Sequence, residues 1–335
     1  MWSNRFIQLS KYAVVSTMAI GVGYRIGQSN GHESADPWSV LKDLKAKPGL
    51  PIFGSVSAAT AISRDLAPVQ TPAEVAIPQK DVGIPSEPLP GQSRIMEIMR
   101  FGFPGLDNIR SHRDYVVSYD RRSRLAHWVF EHLTRESVKR NDQVDRQKSE
   151  FKEDLSIHPF FRSSNQDYKY SGFDRGHLAA AGNHRQNQDV CNETFLLSNM
   201  APQVGVGFNR DKWEHLERYV RNLTKLYRNV YVCTGPLYLP KPGPDGKNYV
   251  RYQVIGANNV AVPTHFFKVI VGEMENRDLE MEAYVLPNEA IPDDVPLASF
   301  QVPPDSVERA AGLLFFDRIA RNQLKKINGK KIGWL

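Results

Sequence analysis

Apolar and polar residues alternate along Leu125–Leu133 in the middle of the chain, which follows the mainly apolar segment Tyr115–Tyr119. Alternation with a period of two is typical of β-strands, because successive side chains point to opposite faces of a sheet. The polar residues 120–123 between them are suited to a turn. The pattern therefore predicts a β-hairpin, with Trp128 and Phe130 on the side that is buried in the core.

Further short apolar segments predict additional strands later in the chain. They are Thr194–Leu197, Asn229–Thr234, Tyr249–Ile255, Val260–Val271 and Leu279–Leu286. The intervening stretch 134–172 is polar and rich in charge, so we expect it to lie over the surface instead of building the core.

Two segments carry helical signals. Over Asn209–Leu223, large apolar residues recur at the spacing i, i+3, i+7 and i+10, which predicts a helix with one buried face. These residues are Trp213, Leu216, Val220 and Leu223. A sequence typical of a capping box, residues 305–308, predicts a last helix that begins at Asp305. Helices combined with predominantly antiparallel strands indicate an α+β fold with a sheet core flanked by helices.

Composition narrows the class of protein. The 335 residues are 41% hydrophobic and 24% charged, which is typical of a globular protein and excludes fibrous and polytopic membrane classes. A net charge of +6 permits a nucleic-acid partner without requiring one. The two cysteines, Cys191 and Cys233, are too few for a disulfide scaffold. We expect free thiols, with Cys233 in the core and Cys191 open to oxidation, although a disulfide between them stays an alternative in an oxidising compartment.

The first part of the chain differs in composition from the rest. Residues 1–32 contain no Asp or Glu, and basic residues flank the weakly apolar run 12–24. This composition favours mitochondrial targeting over secretion and leaves a membrane anchor as an alternative. Residues 33–92 are rich in proline and indicate a linker. The prediction is therefore a targeting segment at 1–32, a linker at 33–92 and one folded domain at 93–335.

The strongest chemical signal is Asp174-Arg175-Gly176-His177. A neutral imidazole at His177 can take a proton from water, and Arg175 can hold a phosphate oxygen. Downstream, Asn209 and Glu217 are separated by about two helical turns, so they can serve one site. Amide and carboxylate oxygens suit Mg²⁺, which takes few protein ligands. This combination favours phosphodiester hydrolysis.

Several downstream motifs accompany this signature. They are Asn199 with Pro202-Gln203, Asn209 through Trp213 to Glu217, and the segments 232–236, 262–268 and 311–315. From about Phe101 to the C terminus the chain resembles the DNA/RNA non-specific endonucleases, which have the ββα-metal nuclease fold.

The resemblance implies a role for each site residue. His177 would be the general base and Asn209 the direct protein ligand of one Mg²⁺, with Mn²⁺ as an alternative. Asn199 would help to position His177 or the phosphate, Glu217 would hold metal-bound water, and Arg175 would border the scissile phosphate. The family also uses an upstream arginine, for which Arg146 is a candidate in a stretch too basic to align with certainty. A base that must be neutral also predicts an activity that falls as the pH drops through the ordinary imidazole pKa, about 6.5.

The resemblance further implies cleavage of single- and double-stranded DNA and RNA to 5′-phosphate and 3′-hydroxyl ends. It implies a homodimer in the mitochondrial intermembrane space that enters the nucleus after release during cell death. Degradation of apoptotic or mitochondrial DNA, an inner-membrane tether and an unidentified protein inhibitor belong to the same expectation. The alternatives are a mitochondrial 5′ exonuclease of this family, a secreted nutritional nuclease and, in a different class, an inactive nucleic-acid-binding scaffold.

Overall fold

The computed structural model describes residues 93–319 and 321–332, all within one unit, Pro78–Leu335. The predicted targeting segment 1–32 and linker 33–92 lie outside the described residues, and the division of the chain stays a prediction. No helix in the described ranges is long and apolar enough to cross a membrane.

The strands are mostly antiparallel. In chain order they are β1 (Ile109–Ser111), β2 (Tyr115–Asp120), β3 (Leu125–Leu133), β4 (Asp174–His177), β5 (Met200–Gln203), β6 (Asn229–Leu237), β7 (Lys241–Pro242), β8 (Asn248–Tyr249), β9 (Val254–Ile255), β10 (Val260–Ala261), β11 (His265–Glu273), β12 (Leu279–Pro287), β13 (Leu324–Ile327) and β14 (Lys330–Lys331). Eight of them form one sheet in the order β1-β2-β3-β6-β11-β12-β13-β14. Its only parallel pair is β12 with β13. β4 and β5 form a separate two-stranded ribbon.

The helices are short apart from one. They are α1 (Arg94–Ile98), α2 (Asn165–Tyr168), α3 (Gln188–Glu193), α4 (Trp213–Leu223) and α5 (Pro304–Ala311). Single helical turns occur at Arg146–Lys148, Pro159–Phe161, Ala181–Asn183, Leu197–Asn199, Leu297–Phe300 and Arg321–Gln323. An irregular helical segment, Gly205–Lys212, leads directly into α4.

Apolar side chains cover both faces of the sheet. One core contains alternate residues of the central strands and the apolar stripe of α4, including Val232, Phe266 and Trp213. The other contains the intervening strand residues together with side chains from α1 and α5. Because β6 and β11 are buried on both faces, they consist of nearly continuous apolar residues. The candidate site lies on the side of the sheet that α4 covers.

The structure confirms several predicted elements. The hairpin is β2 and β3, and Trp128 and Phe130 are both fully buried. The predicted strands at Asn229–Thr234 and Leu279–Leu286 correspond to β6 and β12. Both cysteines are free thiols. Cys191 is buried, so its expected openness to oxidation is wrong, because α3 packs it against Phe195.

Other predicted elements differ from the structure. Thr194–Leu197 is not a strand, because it contains the turn that follows α3 and the first residue of the helical turn Leu197–Asn199, and the strand follows at Met200–Gln203. The predicted segments 249–255 and 260–271 are each interrupted by irregular residues, at 250–253 and 262–264. The last helix begins at Pro304 without a side-chain cap, since its N-cap residue is Pro303. The capping-box prediction there was wrong because proline already fixes the backbone at the helix start.

Candidate active site

The β4–β5 ribbon places the Asp174-Arg175-Gly176-His177 signature, with Gly176 opposite Ala201. A Cβ atom at position 176 would lie 1.9 Å from the Oε1 atom of Gln203, which is itself fully buried. No other residue type fits there without displacing Gln203. The glycine therefore allows the ribbon to stay close to its neighbour while the flanking residues 175 and 177 carry the chemistry.

His177 ends β4 and is only 6% exposed. Its ring meets Phe195 edge-on at 4.7 Å between centroids, and neither ring nitrogen forms a hydrogen bond with a described residue. Burial lowers the pKa of His177 to about 3, and the positive charges of Arg146 and His184 act in the same direction. The imidazole is therefore neutral well below pH 6.5, with a nitrogen lone pair available for a proton. This differs from the expected loss of activity at the ordinary imidazole pKa.

Asn199 is fully buried and bonds only to the backbone. Its Oδ1 atom accepts from the amide of Ala179 at 2.9 Å, and its Nδ2 atom donates to the carbonyls of Ala179 and Thr194. The side chain therefore fixes the backbone directly after His177. This contact suits the expected positioning of His177, whereas full burial keeps Asn199 away from a phosphate in solvent.

Asn209 is held by the first residue of the signature. Its Nδ2 atom donates to the Oδ2 atom of Asp174 at 2.9 Å, and Arg210 forms two hydrogen bonds with the same carboxylate. The Arg210 guanidinium lowers the pKa of Asp174, and the bond from Asn209 adds to this effect. Because the amide nitrogen is engaged by Asp174, the Oδ1 atom of Asn209 is left as a neutral oxygen donor.

The backbone that carries Asn209 is irregular. Gly207 has a φ of +84°, and a Cβ atom there would lie 2.8 Å from the Cβ atom of Ala290. The regular α-helix begins at Trp213, and Asn209 lies in the irregular helical segment that runs directly into it, so the shared orientation of Asn209 and Glu217 stays a prediction. The left-handed turn needs glycine both for its dihedral angle and for this close approach.

A second segment, residues 288–295, supports this turn from behind, and we call it the strap. Asn288 accepts from the amide of Val204 at 2.9 Å, and the amide of Ile291 donates to the carbonyl of Gly207 at 3.2 Å. The buried Lys212 donates to the carbonyls of Asp293 and Val295, both at 2.8 Å. The strap thus fixes both ends of the segment that presents Asn209.

A cleft of about 620 Å³ opens beside these residues. It is lined by Arg146, Phe151, Asn165, Gln166, Tyr168, Lys169, Phe173, Asp174, Arg175, Asn209 and Arg210. Arg175 lies over the ring of Phe151 at 4.2 Å and donates to Asn165 at 2.7 Å. Arg146 reaches the same cleft from its single helical turn and lies 6.0 Å from the ring of Phe195. The guanidinium groups of Arg146, Arg175 and Arg210 and the amide oxygen of Asn209 are therefore grouped in one cleft. His177 is not part of the cleft lining, but its ring packs against the lining residue Phe151, with 5.9 Å between ring centroids.

Glu217 lies on α4, next to a set of buried polar side chains. We call Glu131, Asn183, His184 and Lys268 the buried polar cluster, because each is at most 3% exposed. Burial raises the pKa of Glu217 to about 7, opposed by the charges of Lys268 and Arg221 and reinforced by those of Glu131 and Glu214. Glu217 thus belongs as much to this cluster as to the cleft, whose lining does not include it.

Within the cluster, Glu131 accepts from Asn183 at 2.8 Å and contacts the Nε2 atom of His184 at 2.9 Å. Lys268 donates to Thr234 at 2.8 Å and lies 4.8 Å from the ring of Trp213. Burial lowers the pKa of Lys268, while the carboxylates of Glu131 and Glu217 oppose that shift. His184 is therefore a buried packing residue, in agreement with the ordinary behaviour of a satisfied core histidine.

Sequence reasoning missed the contribution of Asp174 to holding Asn209. The sequence shows that the signature begins with an acidic residue, but it does not show that this residue binds Asn209. It also missed Glu131 and Lys268, because both occur within apolar strands and meet only when β3 and β11 pack beneath α4.

A sequence profile of the DNA/RNA non-specific endonuclease family matches residues 94–322. This range contains the cleft, the ribbon and the buried polar cluster. The chain belongs to the DNA/RNA non-specific endonuclease family. Members of the family are metal-dependent nucleases, so the chain is a hydrolase that acts on phosphodiester bonds, and its mixed helices and antiparallel sheet are those of the ββα-metal nuclease fold.

Full-length relatives extend the family match. The chain is 49% identical over 310 residues to mitochondrial endonuclease G of Caenorhabditis elegans, covering 92% of this chain and 99% of that protein. It is 51% identical over 223 residues to mitochondrial endonuclease G of Homo sapiens, covering 67% and 74% of the two chains. These relatives support a mitochondrial endonuclease.

A solved structure gives the same family placement. The crystal structure of an EndoG/EndoGI complex, which concerns the mechanism of EndoG inhibition, is 68% identical in sequence and superposes with a TM-score of 0.72. The match covers 72% of this chain and 99% of that chain. The fold is therefore shared with an endonuclease that has a protein inhibitor.

Proposed function

We propose that the cleft hydrolyses DNA and RNA with one Mg²⁺ ion, using His177 as the general base. The observation that carries this proposal is the grouping of Arg146, Arg175 and Asn209 along one cleft, beside a buried and neutral His177. Cationic groups suit the phosphate backbone common to both nucleic acids, and contacts to phosphate favour little base selectivity.

The residues present fit a hard divalent cation with few protein ligands. Asn209 offers its Oδ1 oxygen, and the described residues contain no group of three His, Cys, Asp or Glu side chains that could hold a metal ion. One amide oxygen suits Mg²⁺, which retains most of its water. Mn²⁺ accepts similar oxygen donors. When bound, such an ion neutralises charge on the phosphate and stabilises the leaving oxygen.

The remaining steps fall to side chains of the chain itself. His177 takes a proton from the attacking water, and Asn199 fixes the backbone that follows it. Arg175 and Arg146 hold phosphate oxygens as negative charge increases. Glu217, in its ionised form, would accept hydrogen bonds from water that the metal ion brings to the site. The products carry 5′-phosphate and 3′-hydroxyl ends.

The location and partners extend this proposal. Mitochondrial relatives support residence in the mitochondrion, and we place the protein in the intermembrane space as a homodimer, with residues 1–32 as its targeting segment. Release to the nucleus would allow degradation of nuclear DNA during cell death. The related EndoG/EndoGI complex supports a protein inhibitor as a partner.

Digestion of circular plasmid and of RNA tests the activity. The full chain is incubated with Mg²⁺ or with EDTA and compared with His177→Ala, Asn209→Ala and the control His127→Ala, whose ring contacts the carbonyl of Ala311 away from the cleft. We expect Mg²⁺-dependent nicking that is lost in the first two variants and kept in the control. Since a closed circle has no ends, nicking also separates endonuclease from 5′ exonuclease activity. No cleavage of either substrate by the wild type would instead support the inactive-scaffold alternative.

A further inference from the structure

Four aromatic side chains are exposed along the segment that leads into the cleft. They are His158, Phe160, Phe161 and Tyr170, and we call them the aromatic rim. Phe160 is 74% exposed and Tyr170 is 93% exposed. Leaving rings of this size in water forgoes the free energy that burial supplies, so their exposure is not explained by the stability of the fold.

Tyr170 also has an unfavourable backbone conformation. Its φ is +60°, in the left-handed region, which is unfavourable for a bulky residue and is readily adopted by glycine. The turn is held by backbone hydrogen bonds from Lys169 to Asn165 and from Ser171 to Tyr168. The ring therefore projects into solvent from a strained position and gains no burial in return.

The Tyr170 end of the rim adjoins the cleft. Tyr168 and Lys169, which immediately precede Tyr170, both line the cleft beside Arg175. At the other end of the rim, the carbonyl of Phe161 accepts from the hydroxyl of Tyr119 at 2.9 Å. A polymer whose phosphate lies at Arg175 can therefore extend along this segment.

The cations of the rim lie against its rings. Arg121 is 5.7 Å from the ring of Phe161, and Lys169 is 5.1 Å from that of Tyr170. Neither of these two cations forms an ion pair with any residue in the described ranges. The ring of His158 lies 4.7 Å from that of Phe160. Exposed rings next to unpaired cations are the combination that binds single strands, by base stacking and phosphate attraction together.

We propose that the aromatic rim stacks unpaired bases of the substrate as it leaves the cleft, so that the enzyme prefers single-stranded segments. This inference rests on the proposed nuclease function of the cleft. In a duplex each base face is covered by its neighbour, so duplex DNA presents only phosphates to the rim. The rim therefore adds affinity for unpaired nucleotides without adding selectivity for base type.

Binding in EDTA tests the rim without cleavage. The probes are fluorescein-labelled oligo(dT) of about 12 nucleotides, an abasic strand of equal length and a duplex of equal length, and the readout is the dissociation constant. We expect the full-length protein to bind oligo(dT) about tenfold more tightly than the abasic strand. Tyr170→Gly relieves the unfavourable backbone conformation, so we expect a higher melting temperature. Because it also removes the ring, we expect the ratio of the dissociation constants for the abasic strand and for oligo(dT) to fall from about ten towards one.

Further variants distinguish base stacking on the rings from electrostatic attraction to phosphate. Phe160→Ala should also lower the ratio, whereas Tyr170→Trp should keep it. Lys169→Gln should weaken binding to oligo(dT) and the abasic strand equally, because it removes attraction to phosphate. Leu226→Ala replaces a side chain that is 75% exposed outside the rim and should change nothing.

Two results would overturn the inference. One is equal binding of oligo(dT) and the abasic strand by the wild type, and the other is an unchanged ratio in both Tyr170→Gly and Phe160→Ala. Plasmid nicking with Mg²⁺ is measured on the same preparations. If both variants nick plasmid at the wild-type rate and their ratio of dissociation constants is unchanged, the proposed role of the rim is rejected and the nuclease function is kept. If the wild type does not nick plasmid, the proposed nuclease function is rejected, even where the rim distinguishes oligo(dT) from the abasic strand.

Discussion

Two buried histidines, His177 behind the cleft residue Phe151 and His184 in the buried polar cluster, differ in their partners. They are 6% and 2% exposed, so burial does not separate them. His184 contacts Glu131 at 2.9 Å, whereas His177 has aromatic neighbours and no hydrogen bond with a described residue. His177 therefore stays free to take a proton, whereas the buried polar cluster uses its polar groups to hold the strands and α4 together.

The largest expected effect separates the two histidines directly. His177→Ala should lower kcat by about 10²- to 10⁴-fold, because it removes the general base, with little change in the melting temperature. His184→Ala should lower the melting temperature by several degrees, because it leaves the Glu131 carboxylate without one of its partners. Plasmid nicking and thermal unfolding measure both variants. A His184→Ala protein that is fully stable but inactive would contradict the assignment of His177 to catalysis and His184 to stability.

The second-largest effect is expected when the buried polar cluster loses the carboxylate of Glu131. Glu131→Ala should destabilise the fold by about 3 kcal/mol, because Asn183 and His184 lose their acceptor and Lys268 loses a nearby negative charge. Urea unfolding at pH 7 measures the change. Glu136→Ala, at an exposed position, is the control and should stay within about 0.5 kcal/mol of the wild type. Equal stability of the two variants would show that the cluster contributes nothing to the fold.

A smaller effect is expected in the cleft, where Asp174 orients Asn209. Asp174→Asn should raise the Mg²⁺ concentration for half-maximal activity about 10- to 100-fold, because it weakens the contact that holds the proposed ligand. Arg210→Ala should raise it only a few-fold, since Arg210 is largely exposed and its attraction is screened. Mg²⁺ titration of nicking measures both. A larger effect of Arg210→Ala would indicate that the guanidinium, not the carboxylate, sets the position of Asn209.

The smallest effect concerns pH and joins the two regions through Glu217. Its pKa is raised to about 7, so its ionised form increases as the pH rises through 7, whereas His177, with a pKa of about 3, is already neutral. We expect kcat/KM to rise a few-fold between about pH 6 and pH 8, and the rise to vanish in Glu217→Gln. A rise that persists in this variant with a midpoint near pH 6.5 would assign it to His177.

The spacing of apolar residues along the sequence predicted the strands and helices in which apolar side chains recur at regular intervals. The hairpin, β6, β12 and the buried face of α4 all follow from the spacing of apolar residues. The segment around Asn209 could not be predicted in this way, because its shape depends on Gly207 meeting Ala290 from a distant part of the chain. The apolar spacing predicts a helix over Asn209–Leu223, whereas in the structure the regular α-helix begins at Trp213 and is preceded by the irregular helical segment Gly205–Lys212.

The candidate site was predictable to a similar degree. The signature and the resemblance indicated the residue types, and the structure brings Arg146, Arg175 and Asn209 to one cleft. Sequence could not reveal that Asn199 bonds only to backbone or that burial shifts His177 and Glu217 in opposite directions. Both facts depend on long-range packing, which no local pattern records.

The strap has a consequence for biosynthesis. The segment that presents Asn209 is completed by Asn288, Ile291 and the carbonyls of Asp293 and Val295, about eighty residues later in the chain. A ribosome-bound chain that has not yet released these residues lacks the contacts that fix Asn209, even though every proposed catalytic side chain has been made. A nuclease synthesised beside messenger and ribosomal RNA therefore gains its finished site only after the strap has left the ribosome.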